Sequence, residues 1–416
     1  MPDALPVTRA APHTGRKIIC LSLLLATLSA GLAPALGAHA PRPSGLSPAA
    51  RRTHNAPSAA ASRSRPLWPG ARFTEADRAR AVRRGLAFIY RTALERANFA
   101  TYGGDYLWCF YTLSTAVANA PFARTARRMG LERARVWRRL HPTLPPRADA
   151  ATIAEYVFGS DAADSLGVRD AQMKRDLRRA AREFTARDYL LFDPLTEPPP
   201  TDVPADCKYD GAANARGAQF CRVCHRPLRM RTRYDVWYDA LITTYVGDRY
   251  GVTLGATYAD VLKWLPTLRP YPEDTRAQGE EFADAVYAVT HVVYTLNHYN
   301  QSRLAPRLLP AEYEFLHAHV GHAVAHNETD MLGEMMDSLR AFGVTENDPE
   351  LRAAMEFYLA HQNRDGSWGD VNEADIYERY HPTWNAVAGL SRYAWRGQGI
   401  SHPELTRLLE QWAGGR

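Results

Sequence analysis

Four side chains in the second half of the chain are of types that bind metal ions. They are His291, Asp330, Glu334 and His381. Imidazole nitrogens and carboxylate oxygens are ligands for zinc and similar divalent ions, and three of them leave a coordination position open for water or substrate. We therefore expect a metal site formed by His291, Asp330 and His381, with Glu334 available for proton transfer. Alternatively, the two histidines cap helices or bond neighbouring hydroxyl groups.

A second reactive group lies near the middle of the chain. Cys221, Cys224 and His225 form a Cys-x-x-Cys-His sequence, the attachment signature of c-type haem, and Cys207 precedes it. The same residues could hold a structural zinc ion, and in an oxidising compartment two cysteines could form a disulfide. Haem, zinc and a disulfide are therefore three alternatives for this segment. Cys109 lies between aromatic residues and is expected to be a buried core thiol.

Aromatic side chains accompany these groups and could orient a ring-shaped or apolar substrate. Tyr294 and Tyr380 are close in sequence to the two histidines, and Trp384 follows His381 by three residues. Trp108 lies on another apolar segment. Aromatic faces bind rings and cations, and a tyrosine hydroxyl beside a histidine is suited to proton transfer. Tyr294, Tyr380 and Glu334 are therefore the predicted catalytic residues. Most aromatic residues at helical spacing nevertheless only fill a core.

Several classes of function are disfavoured. The chain has no phosphate-binding glycine loop, dinucleotide fingerprint, nucleophile elbow or His-Glu-x-x-His sequence. Its formal charge of +6 comes from the arginine-rich first 66 residues, so residues 67–416 are close to neutral. A neutral folded part gives no electrostatic basis for nucleic-acid binding. The expected partner is a small-molecule, isoprenoid or glycan substrate.

The segments that carry these residues have the apolar periodicity of helices. They cover residues 234–245, 287–299, 328–342 and 381–393, with further helices expected at 311–319, 348–361 and, as one long element, 164–185. The sequence of residues 83–92 is similar to that of residues 352–362. Each segment is followed by a glycine-containing loop and then by a second predicted helix. In the first case this second helix is expected to begin at Gly104. Almost nothing alternates with a period of two, so the fold is predicted to be all-α and built of helical hairpins.

The protein is predicted to be exported, and the start of the chain is predicted to be cleaved off as a signal peptide. Residues 1–40 have the organisation of a secretory signal peptide, because Arg16 and Lys17 precede an apolar run over 18–33 and small residues follow. Residues 41–66 are rich in Pro, Ala, Ser and Arg and are predicted to be a disordered tether. Residues 67–416 would form one domain of a secreted or periplasmic protein without a stable membrane span. The alternative is an uncleaved membrane anchor.

The tract 352–390 carries the clearest resemblance to a known family. Gln362, a short turn and Gly-x-Trp368 resemble the QW motif of terpenoid cyclases, in which the glutamine and the tryptophan stabilise the turn. Tyr380-His381, which opens the following segment, resembles an inner helix of protein farnesyltransferase β subunits, whose histidine binds zinc. The resemblance implies an α/α toroid of about six helical hairpins with a cysteine-containing loop insertion, and a zinc-ligand role for His381.

The resemblance also bears on function. Inner helices of a toroid begin at one end of a central cavity, so His291, Asp330 and His381 could meet there. The zinc thiolate of the prenyltransferases and the Asp-x-Asp-Asp and Asp-Asp-x-x-Asp motifs are absent. The implied protein is therefore a diverged, metal-assisted enzyme acting in the cavity. A polysaccharide lyase or hydrolase, or a non-catalytic c-haem or binding protein on the same fold, are the alternatives.

Overall fold

The computed structural model describes residues 65–274 and 279–414, and in these ranges the chain is helical with only isolated β-bridges. The α-helices of the described ranges are α1 (Glu75–Leu94), α2 (Arg96–Ala116), α3 (Ala120–Leu140), α4 (Ala150–Leu166), α5 (Ala171–Ala180), α6 (Ala186–Leu190), α7 (Arg233–Tyr250), α8 (Tyr258–Leu262), α9 (Gly279–Leu296), α10 (Pro310–Ala325), α11 (Thr329–Ala341), α12 (Pro349–His361), α13 (Tyr377–Leu390) and α14 (Thr406–Gly414). The predicted all-α class is confirmed. The predicted signal peptide (1–40) and all but the last two residues of the predicted tether (41–66) lie outside the described residues.

Two predicted elements differ from the structure. The long helix expected over 164–185 is interrupted at Gly167, whose φ of 104° is left-handed and caps the end of α4. The helix expected to open at Gly104 instead begins at Arg96, and it bends at Tyr102, where φ is −118° and ψ is 20°. Both differences concern where a helix ends or bends, which apolar periodicity does not determine.

Six long helices contact one another in sequence order. Helix α2 contacts α4, α4 contacts α7, α7 contacts α9, α9 contacts α11, α11 contacts α13, and α13 also contacts α2. Among the remaining helices, α3 lies against α2 and α4, α10 against α9 and α11, α12 against α11 and α13, and α1 against α13 and α2. Five of the six long helices contribute side chains to the candidate site.

Helices α11 and α13 approach each other unusually closely. A Cβ atom at Gly333 of α11 would lie 2.6 Å from the backbone carbon of Asn385 on α13, so no larger residue fits there without movement. This contact sets the polar residues of α11 directly beside those of α13. The glycine is therefore needed for packing, since its φ is ordinary.

Gln362 and Trp368 stabilise the turn between α12 and α13 through hydrogen bonds. The Gln362 side-chain amide donates to the carbonyls of Ala81 on α1 and Gly366 in the turn, at 2.9 and 3.0 Å. Trp368 is fully buried, and its indole N–H donates to the Tyr358 carbonyl at 2.8 Å. The glutamine thus links the last hairpin to the first helix of the described residues.

Residues 191–232 connect α6 to α7 without an α-helix or a regular strand, and they contain three cysteines. Two isolated antiparallel bridges, Pro204 to Met230 and Phe220 to Pro227, bring this segment back on itself.

Across residues 65–274 and 279–414, every helix is too short or too polar to span a lipid bilayer.

Candidate metal centre

Five helices contribute side chains to one pocket, and α4 does so through Phe158. Helix α9 provides His291 and Tyr294, α11 provides Glu334, α13 provides His381 and α2 provides Asp105. The pocket has a volume of about 640 Å³, which includes the part open to solvent. Asp105 and Tyr393, which are 288 positions apart in sequence, therefore line a common space.

Helical spacing explains why α11 and α13 each present two polar side chains on one face. Asp330 and Glu334 are four residues apart on α11, and His381 and Asn385 are four residues apart on α13. Side chains at this spacing lie on the same face of a helix. The close contact at Gly333 then brings the two polar faces together.

Asp330, Glu334 and His381 have the geometry of a metal site. One ligand atom from each of the three lies within 4.8 Å of the others. His381 Nδ1 is 2.8 Å from Asp330 Oδ1, and the Asn385 amide donates to Asp330 Oδ1 at 2.9 Å and to Glu334 Oε1 at 3.3 Å. The structure therefore brings the predicted Asp330 and His381 together and places Glu334 beside them as a third candidate ligand.

His291 lines the same pocket but is not a member of this group of three. Its Nδ1 lies 2.7 Å from the Tyr287 carbonyl, which fixes Nδ1 as the donor, and 3.6 Å from Glu334 Oε2. Burial lowers the pKa of His291 to about 4, so the ring is neutral near pH 7. A neutral imidazole with its Nε2 lone pair free suits a substrate contact as well as a more distant ligand role.

The charges of the three grouped residues are strongly coupled. Burial raises the pKa of Glu334 to about 8, and the negative charge of Asp330 acts in the same direction. Burial disfavours the His381 imidazolium, but Asp330, Asp105 and Glu334 outweigh it and raise the pKa of His381 to about 10. The pKa of Asp330 is lowered in spite of its burial, because the His381 charge and hydrogen bond favour the carboxylate. Near pH 7 these shifts favour an Asp330–His381 ion pair and the protonated form of Glu334.

The pocket carries an excess of acidic groups. Asp105, Asp330, Glu334 and Asp337 have carboxyl groups in or beside it, and no lysine or arginine is among the described residues that line it. Asp337 Oδ1 is buried without a hydrogen-bond partner, and burial raises the pKa of Asp337 to about 6. Burial also raises the pKa of Asp105. Since buried carboxyl groups repel one another when ionised, this environment favours a bound cation.

The predicted catalytic tyrosines occupy different places. Tyr294 lines the pocket, and its hydroxyl donates to the backbone carbonyl of Glu334 at 3.3 Å. Tyr380 is fully buried and donates to Asp105 Oδ2 at 2.6 Å, but it is not among the pocket-lining residues. Tyr294 is therefore placed to contact a substrate, whereas Tyr380 orients Asp105.

Some residues of the site were not predicted. The Asn385 amide donates to the carboxyl groups of Asp330 and Glu334, Thr290 donates to Glu334 Oε2 at 2.5 Å, and the Tyr287 hydroxyl donates to Asp330 Oδ2 at 3.0 Å. Asn385 follows His381 by one helical turn, and Asp337 follows Glu334 by nearly one, so the spacing was available in the sequence. The amide of Asn385 is not a signal for a site without knowledge of the facing helix.

The cysteines form a separate cluster. Ligand atoms of Cys207, Asp210, Cys221 and Cys224 lie within 4.8 Å of one another. All four cysteines of the described ranges are free, and Cys207 Sγ is 3.4 Å from Cys224 Sγ, against about 2.0 Å for a disulfide bond. His225 is exposed and does not belong to the cluster, in which Asp210 takes the place expected for it. Cys109 is fully buried, as predicted.

Comparison with known proteins gives no match: the chain fits no protein-family model, no curated protein and no solved structure. The predicted kinship with terpenoid cyclases and prenyltransferases thus stays a resemblance in sequence. What the protein does must be inferred from the geometry of the pocket and of the cysteine cluster.

Proposed function

We propose that the protein is an enzyme that binds a divalent metal ion through Asp330, Glu334 and His381 and acts on a substrate in the adjoining pocket. The observation that carries this proposal is the convergence of these three ligand atoms from two helices within 4.8 Å. Two carboxylates and one imidazole form a donor set for zinc or a similar divalent ion and leave positions free. Such an ion polarises a substrate oxygen or activates a water molecule.

The fold that would support this site is an α/α toroid of about six helical hairpins. The sequential contacts of α2, α4, α7, α9, α11 and α13, together with the contact of α13 with α2, support closure into a ring. The metal centre would then lie in the central cavity, as in the terpenoid cyclases and prenyltransferases that the sequence resembles. Export through residues 1–40 and a tether over 41–66 belong to the same proposal.

The lining of the pocket narrows the class of substrate. Trp108, Phe158, Tyr299 and Trp384 present aromatic surface, and the charged groups of the described lining are carboxyl groups and histidines. Aromatic faces bind sugar rings and other apolar rings, whereas buried carboxyl groups repel anions. The proposed substrate is therefore neutral, such as an uncharged glycan or a terpenoid without diphosphate. The acidic lining disfavours a lyase for uronate polymers.

A metal-independent glycan hydrolase is the second candidate. The pKa of Glu334 is raised and that of Asp330 is lowered, so one carboxyl group is protonated while its neighbour is ionised. Paired carboxyl groups in these two states are the acid and the anion of glycoside hydrolysis. This alternative uses the same residues and differs in metal content.

Metal analysis of purified variants separates the two candidates. The full chain is purified without chelators, and bound metal is measured by inductively coupled plasma mass spectrometry. The proteins compared are the parent, Asp330→Asn, His381→Ala and Asp337→Asn. We expect Asp330→Asn and His381→Ala each to lose one equivalent of metal per chain, and we expect Asp337→Asn, a control in the same pocket, to retain it. An unchanged metal content in both ligand variants would exclude the metal centre. Hydrolysis of neutral glycans that persists in the metal-free protein would then establish the second candidate.

A further inference from the structure

We propose that Cys207, Asp210, Cys221 and Cys224 bind a structural zinc ion that folds the segment between α6 and α7. Cys207 Sγ lies 3.4 Å from Cys224 Sγ, and Cys221 Sγ lies 3.5 and 3.6 Å from the two carboxylate oxygens of Asp210. In a tetrahedral site with Zn–S bonds of about 2.3 Å, the ligand atoms are about 3.8 Å apart. The Cys207–Cys224 and Cys221–Asp210 distances are close to this spacing, and all four ligand atoms lie within 4.8 Å of one another.

The two halves of the cluster have the same backbone geometry. The Gly211 amide donates to the Cys207 carbonyl at 2.7 Å, and the His225 amide donates to the Cys221 carbonyl at 2.9 Å. In both turns the amide of the first cysteine also donates to the carbonyl five residues later, at 3.1 and 2.8 Å. Gly211 and His225 both have left-handed φ angles, 70° and 58°. Each turn therefore presents its first and fourth residues to a common centre.

This repetition explains the role of each residue. Cys207-x-x-Asp210 and Cys221-x-x-Cys224 are equivalent ligand pairs, and His225 occupies the left-handed position that Gly211 fills in the other turn. His225 is exposed and therefore has a conformational role here. Haem attachment would require Cys221 and Cys224 to bond a macrocycle, whereas both sulfur atoms lie within 4.8 Å of ligand atoms of the other turn.

Charge and burial also favour a cation at this place. Cys207 and Cys221 are almost fully buried, and three thiolates beside a carboxylate would repel one another without a positive ion. The Val223 amide donates to Cys221 Sγ at 3.4 Å, which is the kind of contact that stabilises a zinc-bound thiolate. Among first-row metals, zinc and iron favour sulfur-rich tetrahedral sites, and zinc accepts a carboxylate oxygen as the fourth ligand.

The ion would act on the rest of the fold through the start of α7. The two ends of the segment are paired, because the Arg231 amide donates to the Val203 carbonyl and the Ala205 amide donates to the Arg229 carbonyl, both at 2.8 Å. The Arg231 guanidinium then bonds the Asp235 carboxylate at 3.0 Å on the first turn of α7. A folded cysteine segment thus fixes the end of a helix that packs against α9.

The test uses a mercurial reagent on the full chain, because mercurials displace metal from thiolates but not from carboxylates and imidazoles. We expect p-hydroxymercuribenzoate to release one equivalent of zinc per chain, detected with a colorimetric chelator. The same release from the Asp330→Asn and His381→Ala variants would show that this zinc is independent of the pocket. Cobalt substitution should give thiolate-to-metal charge-transfer absorption in the near ultraviolet.

Matched variants assign the ligands. Asp210→Ala should weaken zinc binding at least about ten-fold in competition with a chelator, since even loss of a partner behind a ligand costs that much. His225→Ala and Cys109→Ala should retain the mercurial-sensitive zinc. A Cys207–Cys224 disulfide in mass spectra of alkylated native protein, a haem Soret band, or iron in place of zinc would each overturn the proposal. Full zinc retention by Asp210→Ala together with loss in His225→Ala would overturn the ligand set.

Discussion

Glu334 carries a carboxyl group in a buried position, where burial disfavours its ionised form. It is almost fully buried, and the pKa of its carboxyl group is raised from 4.5 to about 8. Between these values the folded metal-free protein keeps a proton that the unfolded chain releases. The folded state therefore binds more protons, and stability falls as the pH rises from about 4.5 to about 8.

Replacing Glu334 with glutamine should remove that part of the pH dependence. We expect the free energy of unfolding of chelator-treated Glu334→Gln to change less between about pH 5 and pH 8, and to exceed that of the parent by about 1–3 kcal/mol at the upper end. Urea unfolding at several pH values measures the effect. The exposed Glu183→Gln serves as the control, and a pH profile identical to that of the parent in Glu334→Gln would contradict the prediction.

Asn385 should act by positioning the two carboxyl ligands of α11. Its amide donates to Asp330 and to Glu334, so Asn385→Ala leaves both carboxyl groups freer to rotate. We expect metal affinity to fall about 10- to 100-fold while the stoichiometry at saturating metal stays the same. Competition with a chelator gives the affinity, and the exposed Asn347→Ala is the control. An unchanged affinity would show that the carboxyl groups are held without the amide.

The sequence predicted the ligands better than their partners. Carboxylates and imidazoles suggest metal binding by residue type alone, which is how Asp330 and His381 could be selected. The amide of Asn385 gives no such signal, because its role depends on a facing helix. The Cys-x-x-Cys-His pattern favoured His225 as a fourth ligand, whereas the left-handed backbone at that residue turns its side chain outward.

At the scale of helices, apolar periodicity located the elements and missed their ends. The segments expected over 234–245, 311–319, 328–342 and 348–361 fall within or close to α7, α10, α11 and α12. The errors arose at Gly167, where a single left-handed residue ends α4, and at Tyr102, where α2 bends instead of starting anew. Local backbone dihedral angles decide both cases, and side-chain periodicity does not report them.

The contact between α11 and α13 gives a test at this scale. Gly333→Ala places a methyl group 2.6 Å from the Asn385 backbone, so the helices must separate. We expect a loss of about 1–3 kcal/mol in stability, as for other overpacked cores, together with weaker metal binding. Gly279→Ala adds the same methyl group to α9 where no atom lies within 4 Å, and it should leave both properties nearly unchanged. Equal effects of the two variants in chemical unfolding and metal titration would argue against a site built by close packing.

At the scale of the whole molecule, the hydrogen bond between Gln362 and Ala81 could not be predicted from the sequence. Gln362 and Trp368 were expected to stabilise a turn, and both donate hydrogen bonds there, Gln362 to the Gly366 carbonyl and Trp368 to the Tyr358 carbonyl. The second bond of the Gln362 amide, to Ala81, joins residues 281 positions apart. Nothing in either local sequence encodes that partner, because it depends on how α12 and α13 return to α1.

Gln362→Ala should reveal whether this hydrogen bond helps to hold the last hairpin against α1. Removing the amide leaves the Ala81 and Gly366 carbonyls without this donor, and we expect a loss of about 1–2 kcal/mol in stability. If the last hairpin and the first helix stabilise each other, amide hydrogen exchange should become faster in α1 as well as in the turn before α13. The exposed Gln172→Ala on α5 is the control and should not change exchange in either region. Faster exchange confined to the turn would mean that the glutamine stabilises only its own hairpin and that apolar contacts between α1 and α13 hold the two elements together.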